Sequence, residues 1–260
     1  MTKIAIVGVS GRMGRTLVEA ISMDNSATLA GAIDRQDSSM IGRDINNNIV
    51  VVSSLLDVID SIDVAIDFSS PLATVGNAEI CGRFGKNIVI GTTGLTSEQV
   101  QCIKSASKST AICMSSNFAT GVNLCFKLAE MAASALGDDV DIEISEAHHK
   151  HKLDAPSGTA LTLGHVVART LDRDLDQVAV YRRQGDIGER DSKAIGFSSV
   201  RAGDIVGDHT VMFSGDGERV EITHKASSRM AFAKGAIRAA KWLSVQDSGL
   251  FDMQDVLGLK

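Results

Sequence analysis

The sequence predicts an α/β chain, with a doubly wound parallel sheet in its first half and then a second α+β domain with a mixed or antiparallel sheet. Two observations carry this. Through about residue 116, short continuous apolar runs alternate with longer amphipathic ones. That is the texture of strands buried on both faces between covering helices. From about residue 120, strand-like runs follow one another through Gly/Asp turns such as GDIGERD and SGDGE, which favours antiparallel or mixed pairing.

In order along the chain, KIAIVGV (3–9) reads as a buried strand, Arg12–Ser22 as a helix and ATLAGAID (27–34) as a second strand. DVAIDFS (63–69), NIVIGTT (87–93) and TAICMSS (110–116) are further strands, separated by helical patterns near 71–84 and 96–108. A helix over 121–136 leads into the strand DIEISEAHH (141–149), and another helix runs from about 157 to 171. Strand-like runs at 178–182, 194–202, 208–214 and 219–225 precede an amphipathic helix over 228–244. That last helix is expected to return to the first domain. Residues 1–119 and 229–260 then form one discontinuous domain, and residues 120–228 the other.

Composition narrows the function. With 260 residues, 44% hydrophobic and 22% charged, the chain can fill one or two globular cores and lacks the signature of disorder. A net charge of −6 gives no basic footprint for nucleic acid or anionic membrane. No apolar run approaches the ~18 residues of a membrane span, and Arg12 and Arg15 stand just behind the first short apolar run where a secretory signal would need its core. Cys81, Cys102, Cys113 and Cys125 form no CxxC pair and lie within or beside apolar runs. They read as reduced, buried thiols of a cytoplasmic protein.

Gly8-Val9-Ser10-Gly11-Arg12-Met13-Gly14 joins the first strand to the first helix. Its GxxGxxG spacing departs from the strict Rossmann G-x-G-x-x-G, yet it supplies a tight turn, close backbone approach and a helix N-terminus for a pyrophosphate. Asp34 lies 20 residues after Gly14 at the end of the second strand, where an acid holds the adenosine ribose. Arg35 follows it, and a guanidinium there pairs with the 2′-phosphate of NADPH. Both NADH and NADPH are therefore candidate cofactors of a Rossmann-like domain. Gly91-Thr92-Thr93 and Ser115-Ser116-Asn117-Phe118 end two further strands, where a parallel sheet places its ligand crevice.

The stretch EAHHKHKLDAPSGTA (146–160) concentrates His148, His149, His151, Lys150 and Lys152. As a continuing strand it would send His149 and His151 one way and His148, Lys150 and Lys152 the other. A zinc site would want three or four Cys/His/carboxylate ligands, and neighbouring lysines would repel the ion; no metal is expected. Read as chemistry, His and Lys are proton donors near neutral pH, and a cationic cluster stabilises carboxylates and the charge arriving with a hydride. Pro156-Ser157-Gly158-Thr159 opens the next helix, a second anion site. A small, doubly anionic substrate fits this set. A cysteine-nucleophile dehydrogenase is a rival reading, and so is a non-enzymatic dinucleotide sensor, which leaves the His/Lys run without work.

These motifs, with GTTG (91–94), NFATGVN (117–123), VRAGDIVGDH and HKASSRM, closely resemble the bacterial dihydrodipicolinate reductase family, essentially from end to end. The resemblance implies NAD(P)H-dependent reduction of a cyclic dicarboxylate in diaminopimelate and lysine biosynthesis, by a homotetramer assembled through the second domain. It implies that His148 is the proton donor/acceptor and Lys152 a second proton donor, with His149, Ser157, Gly158 and Thr159 at the substrate and Arg229 a further cation near it. It assigns Gly8, Val9, Ser10, Gly11, Arg12, Met13, Asp34, Arg35, Gly91, Thr92, Thr93, Ser115, Ser116, Asn117 and Phe118 to the cofactor. The family acid after the second strand is often Glu; this chain has the shorter Asp34.

Overall fold

Ile4, Ala5 and Ile6 have no polar side chain between them and no exposure to solvent, so the first strand can only lie inside a sheet covered on both faces. A computed structural model, describing residues 1–45 and 48–260, shows this arrangement. The chain runs β1 (Thr2–Val7), α1 (Arg12–Ser22), β2 (Ala27–Ile33), β3 (Val51–Val52), a 3-10 helix (Leu55–Ser61), β4 (Val64–Asp67), α2 (Pro71–Phe84), β5 (Asn87–Ile90), α3 (Ser97–Ala106) and β6 (Ala111–Met114). Next come α4 (Thr120–Leu136), β7 (Asp141–His148), α5 (Gly158–Thr170), α6 (Leu175–Val178), β8 (Ala179–Val180), β9 (Ile195–Arg201), β10 (Gly207–Gly215) and β11 (Glu218–Ala226). The last elements are α7 (Met230–Leu243), β12 (Gly249–Phe251) and α8 (Met253–Leu257). Two units result, Met1–Thr120 with Arg229–Lys260, and Gly121–Ser228.

The first unit is built on a parallel sheet of order β12-β6-β5-β4-β1-β2-β3. Alternation along β1 sends Ile4 and Ile6 into a core with Leu17, Ile21, Ile237 and Leu243. Ala5 and Val7 face a second core with Ile59, Ala78, Cys81 and Ile103. Each fully buried isoleucine contributes roughly 1.5–3 kcal/mol. The apolar runs at 63–69, 87–93 and 110–116 are longer than the strands they contain. Pairing stops at Asp67, Ile90 and Met114, which leaves Ser69, Gly91–Thr93 and Ser115–Asn117 as loops at the C-terminal edge. The short strands β3 and β12, and the 3-10 helix, are additions to the elements expected. Of the cysteines, Cys81 and Cys113 are buried as expected, but Cys102 is exposed and Cys125 only half-buried. Cys102 sits on the outer side of the amphipathic α3, whose buried residue is its neighbour Ile103.

The second unit is a mixed sheet of order β11-β10-β7-β9-β8. β10 is antiparallel to β7 and β11, whereas β9 is parallel to both β7 and β8. The run at 178–182 shortens to the two residues of β8. Helix α5 packs close to the sheet through Gly164, where an added Cβ would come within 2.6 Å of the Phe197 ring.

Two glycines separate close packing from mere helix-breaking. A Cβ on Gly235 of α7 would stand 1.7 Å from the Phe118 carbonyl oxygen, while one on Gly76 of α2 meets nothing within 4 Å. In urea unfolding, Gly235→Ala is expected to destabilise by about 1–3 kcal/mol or more. Gly76→Ala is expected to stabilise by roughly 0.5–1 kcal/mol. Equal effects of the two would show that close approach at α7 is not a constraint.

Candidate active site

In the first unit, the glycine turn follows β1 directly. Gly8 has φ 81°, and a Cβ there would meet the Phe68 carbonyl oxygen at 2.9 Å. Gly14 lets α1 press against the turn, since its Cβ would lie 2.2 Å from the Gly8 carbonyl oxygen. Gly11 is the N-cap of α1, with no side-chain cap and no acid in the first turn. The N–H groups of Arg12 and Met13 and the positive helix end therefore suit an anion. Asp34 follows β2 and is buried. Its carboxylate accepts hydrogen bonds from Ser10 N (3.2 Å), Arg35 N (2.9 Å) and Ser38 Oγ (3.0 Å). Burial pushes its pKa up, but the hydrogen bonds from Ser10, Arg35 and Ser38 prevail and hold it below the ordinary value. Arg35 points to solvent and pairs with Asp37 at 3.1 Å. Val9 is buried in the core beneath the turn.

The loops after β5 and β6 divide their labour. A Cβ on Gly91 would overlap the Phe68 ring at 2.1 Å. The Thr92 hydroxyl is committed inward, bonded to Ser69 N, Thr74 Oγ1 and Asp67, while Thr93 is exposed. Ser115 Oγ donates to the Asn117 carbonyl, and Asn117 Oδ1 accepts from Ala119 N; Ser116 is exposed. The Phe118 side chain lies in the core, edge-on to Phe68 at 5.8 Å. Thr92 and Phe118 thus have only backbone groups to offer a ligand.

In the second unit, the alternation of β7 puts Ile142, Ile144, Glu146 and His148 on one buried face. The strand ends at His148, one residue short of the expected 141–149, so the alternation that a continuing strand would give does not extend to Lys152. Lys152 N instead closes a turn onto the His149 carbonyl (3.0 Å), and Lys150 N bonds Gly203 O (3.2 Å). The ring of His149 lies 6.3 Å from that of His151, and Lys152 Nζ pairs with Asp154 at 2.9 Å.

His148 Nδ1 lies 2.6 Å from Glu146 Oε2. Arg201, from β9, grips both oxygens of the same carboxylate at 2.7 Å each, and Ser157 N donates to Oε1 at 3.2 Å. Burial would raise the pKa of Glu146, but hydrogen bonds from Arg201, His148 and Ser199 hold it at about 2. His148 is lowered, because burial outweighs the raising contact with Glu146 while Lys152 and Arg201 add to the lowering. Ser157 caps α5, accepting from Ala160 N at 3.2 Å, and its hydroxyl meets His209 Nε2 at 2.9 Å. His209 lies edge-on to His148 with centroids 5.0 Å apart. Thr159 is buried, whereas Gly158 is exposed with nothing within 4 Å of an added Cβ. Arg229 is the N-cap of α7 in the first unit.

Sequence reasoning does not single out Glu146, Arg201 and His209. For Glu146 the signal is present, as a carboxylate on the apolar face of a strand; Arg201 and His209 belong to strands whose register only folding supplies. The cysteines the rival reading would use are disfavoured, since burial pushes Cys113 up to about 12 and also raises Cys125, away from the thiolate. Among the described residues there is no group of three or more His, Cys, Asp or Glu side chains that could hold a metal ion.

A glycine-turn parallel sheet with a buried acid after its second strand, joined to a second unit that presents imidazoles, a lysine and a helix N-terminus, defines a class: two-unit oxidoreductases of the dinucleotide-binding type. Comparison with known proteins narrows it. Residues 2–118 match the family described as dihydrodipicolinate reductase, N-terminus, and residues 121–257 match its C-terminus. A 4-hydroxy-tetrahydrodipicolinate reductase of Saccharophagus degradans is 51% identical over all of this chain and 99% of its own. The solved structure of a dipicolinate-bound dihydrodipicolinate reductase from Paenisporosarcina sp. TG-14 is similar, with a TM-score of 0.80, 26% identity and 98% of each chain covered. A probable dehydrogenase of Thermotoga maritima shares the fold at a TM-score of 0.63 and 11% identity, over 99% of this chain and 93% of that one. The chain belongs to the dihydrodipicolinate reductase family.

His209 gives a test of this geometry. Burial and the neighbouring His148 lower it from 6.5 to about 3. Between those pH values the unfolded chain binds a proton that the folded chain refuses. The associated stability is complete above pH 6.5 and is lost as the pH falls, at up to about 1.4 kcal/mol per pH unit. Unfolding free energies measured in urea from pH 7 to 4.5 should fall less steeply for His209→Gln, which keeps a partner for Ser157. Parallel curves would mean that His209 is not held neutral.

Proposed function

We propose that the chain is the reductase that converts 4-hydroxy-tetrahydrodipicolinate to tetrahydrodipicolinate with NADH or NADPH, in diaminopimelate and lysine biosynthesis. The observation that carries this reading is the buried Glu146–His148 pair beside the Ser157-capped N-terminus of α5. It joins a proton-handling group to an anion-binding backbone on one face. The relative that is 51% identical is named for this reaction, and the Paenisporosarcina relative holds dipicolinate, a cyclic dicarboxylate.

The Gly8–Met13 turn, the N-terminus of α1 and the Asp34 carboxylate fit a dinucleotide, with Gly91–Thr93 and Ser115–Phe118 at its nicotinamide half. When bound there, the reduced nicotinamide supplies the hydride. His149, Gly158 and Thr159 hold substrate carboxylate with the N–H groups that open α5. His148 and Lys152 deliver protons, and the cationic cluster offsets charge developing as the hydride arrives. Asp34 beside the exposed Arg35 supports use of both cofactors, one through the ribose hydroxyls and the other through the 2′-phosphate. We also propose that the enzyme is a cytoplasmic homotetramer. No helix among the described residues is long and apolar enough to cross a membrane.

The test is loss of reduced-nicotinamide absorbance, with the unstable substrate made in situ from pyruvate and aspartate semialdehyde by the preceding synthase. Substrate-dependent oxidation is expected with both NADH and NADPH, and dinucleotide binding without turnover would overturn the reading. Lys152→Ala should lose about 10²–10⁴-fold in kcat while its dinucleotide Kd is unchanged. Gly158→Ala, which meets no protein atom, should fold normally and raise KM about tenfold, near 1.4 kcal/mol. Arg35→Ala should lower kcat/KM for NADPH about tenfold relative to NADH, an effect of similar size. Light scattering should find a mass four times that of the chain.

A further inference from the structure

Glu146 touches His148, Arg201 and the N-cap of α5, and the proposed reaction gives it no proton to move. Its side chain is 1% exposed. Oε2 takes His148 Nδ1 and Arg201 Nη1, and Oε1 takes Ser157 N and Arg201 Nη2. Arg201 Nη2 also donates to the Asp154 carbonyl at 2.6 Å, tying down the turn that carries Lys152. Both oxygens are thus doubly engaged, and the contacts divide between an imidazole, the N-cap of a helix and a guanidinium from β9. A carboxylate present only to neutralise Arg201 would need neither the imidazole nor the helix N-cap.

An ionised carboxylate accepts and cannot donate. The Nδ1 of His148 therefore carries the hydrogen in that contact, and Nε2 is the ring nitrogen left for substrate. We propose that Glu146, clamped by Arg201, is a positioning residue that holds His148 as its Nδ1–H tautomer and registers the Ser157–Gly158 end of α5 against it. The inference rests on the proposed function, in which His148 handles a proton. For the transfer the ring first takes a proton from solvent at Nε2; the Nε2–H bond of that imidazolium then breaks, its electron pair stays on Nε2, and the Nδ1–H tautomer is regenerated. The proton joins the electron pair that hydride addition leaves on the substrate. Nδ1–H remains donated to Glu146, which stays anionic throughout.

The groups facing His148 are Glu146 on its own strand, Arg201 from β9, His209 from β10 and Lys152 from the turn. Burial, Lys152 and Arg201 all disfavour the imidazolium, and Glu146 is the anion bonded to it. Removing its charge should therefore leave less of His148 protonated at a given pH as well as freeing its tautomer.

The experiment is ¹⁵N NMR of the His148 ring, assigned by loss of its signals in His148→Gln, in the intact enzyme and in Glu146→Gln and Arg201→Lys. Each variant is also measured for kcat, KM and reduced-dinucleotide Kd. Glu146→Gln should lose the fixed Nδ1–H signature, titrate at lower pH and fall ~10–100-fold in kcat, in the range of partners that orient a functional histidine. Its Kd for dinucleotide should not change. Arg201→Lys keeps a cation but loses the fork, and should move the ring in the same direction by less. It carries the test if Glu146→Gln does not fold. Ring shifts and titration unchanged from the parent would overturn the proposal, even if the variant melts earlier. His148→Gln turning over at the parent rate would instead sink the reading of His148 as the proton group, a separate failure.

Discussion

The second unit is organised around the cost of hiding Glu146 from water. An isolated carboxylate in a protein interior costs several kcal/mol, and here it is offset by a bidentate guanidinium, a backbone N–H and an imidazole. Those partners come from β9, the loop before α5 and β7, so the ladder cannot slip without stranding the charge. Asp67 in the first unit is the contrasting case. It is completely buried, but its partners are the neutral groups of Ser69, Asn77 and Thr92. With these neutral partners, burial raises its pKa, whereas Arg201 helps to lower that of Glu146 to about 2. Two buried carboxylates thus carry opposite shifts, and the chemistry of the partners decides the sign.

The same economy shapes the other unit. Asp67 holds the loop at Ser69 and the Thr92 hydroxyl, and Thr92 is thereby turned away from any ligand. The residue after β5 must be glycine because Phe68 fills the space its Cβ would need. Phe68 in turn packs on Phe118, whose carbonyl allows only a glycine opposite it on α7. Loops at the C-terminal edge of the parallel sheet are therefore set by packing behind them, and the groups they present are largely backbone N–H and short hydroxyls.

How much of this is legible in the sequence varies with range. The glycine turn, the acid after β2 and the Ser157 cap are local patterns, each complete within a few residues, and all lie at the element ends where their chemistry puts them. β3 and β12 have two and three residues, too few for any periodicity, and exist because a neighbouring strand offers an edge. The turn at His149–Lys152 is less legible, because nothing local in the sequence marks it. It closes through bonds from Lys150 to Gly203 and from Ala202 to His148, which are long-range facts. Arg201 and His209 stand 55 and 52 residues from the groups they bond, and only the register of β9 and β10 against β7 brings them in.

Glu146 falls between these cases. The alternation Ile142, Ile144, Glu146, His148 is visible in DIEISEAH, and the strand period alone assigns all four to one face. Two isoleucines require that face to be dry. An acid and a histidine continuing the stripe must then pair with each other or find partners, since neither survives alone in such surroundings. The histidine that draws the eye in this sequence stands two residues from the carboxylate that makes its position tenable, and the strand period places them together. What the pattern could not supply is the cation. Without Arg201 the same two residues would share a proton in an apolar slot, as a neutral pair, with no fixed charge to hold the imidazole in one tautomer. The chemistry open to the site therefore depends on a guanidinium supplied by a parallel neighbour strand.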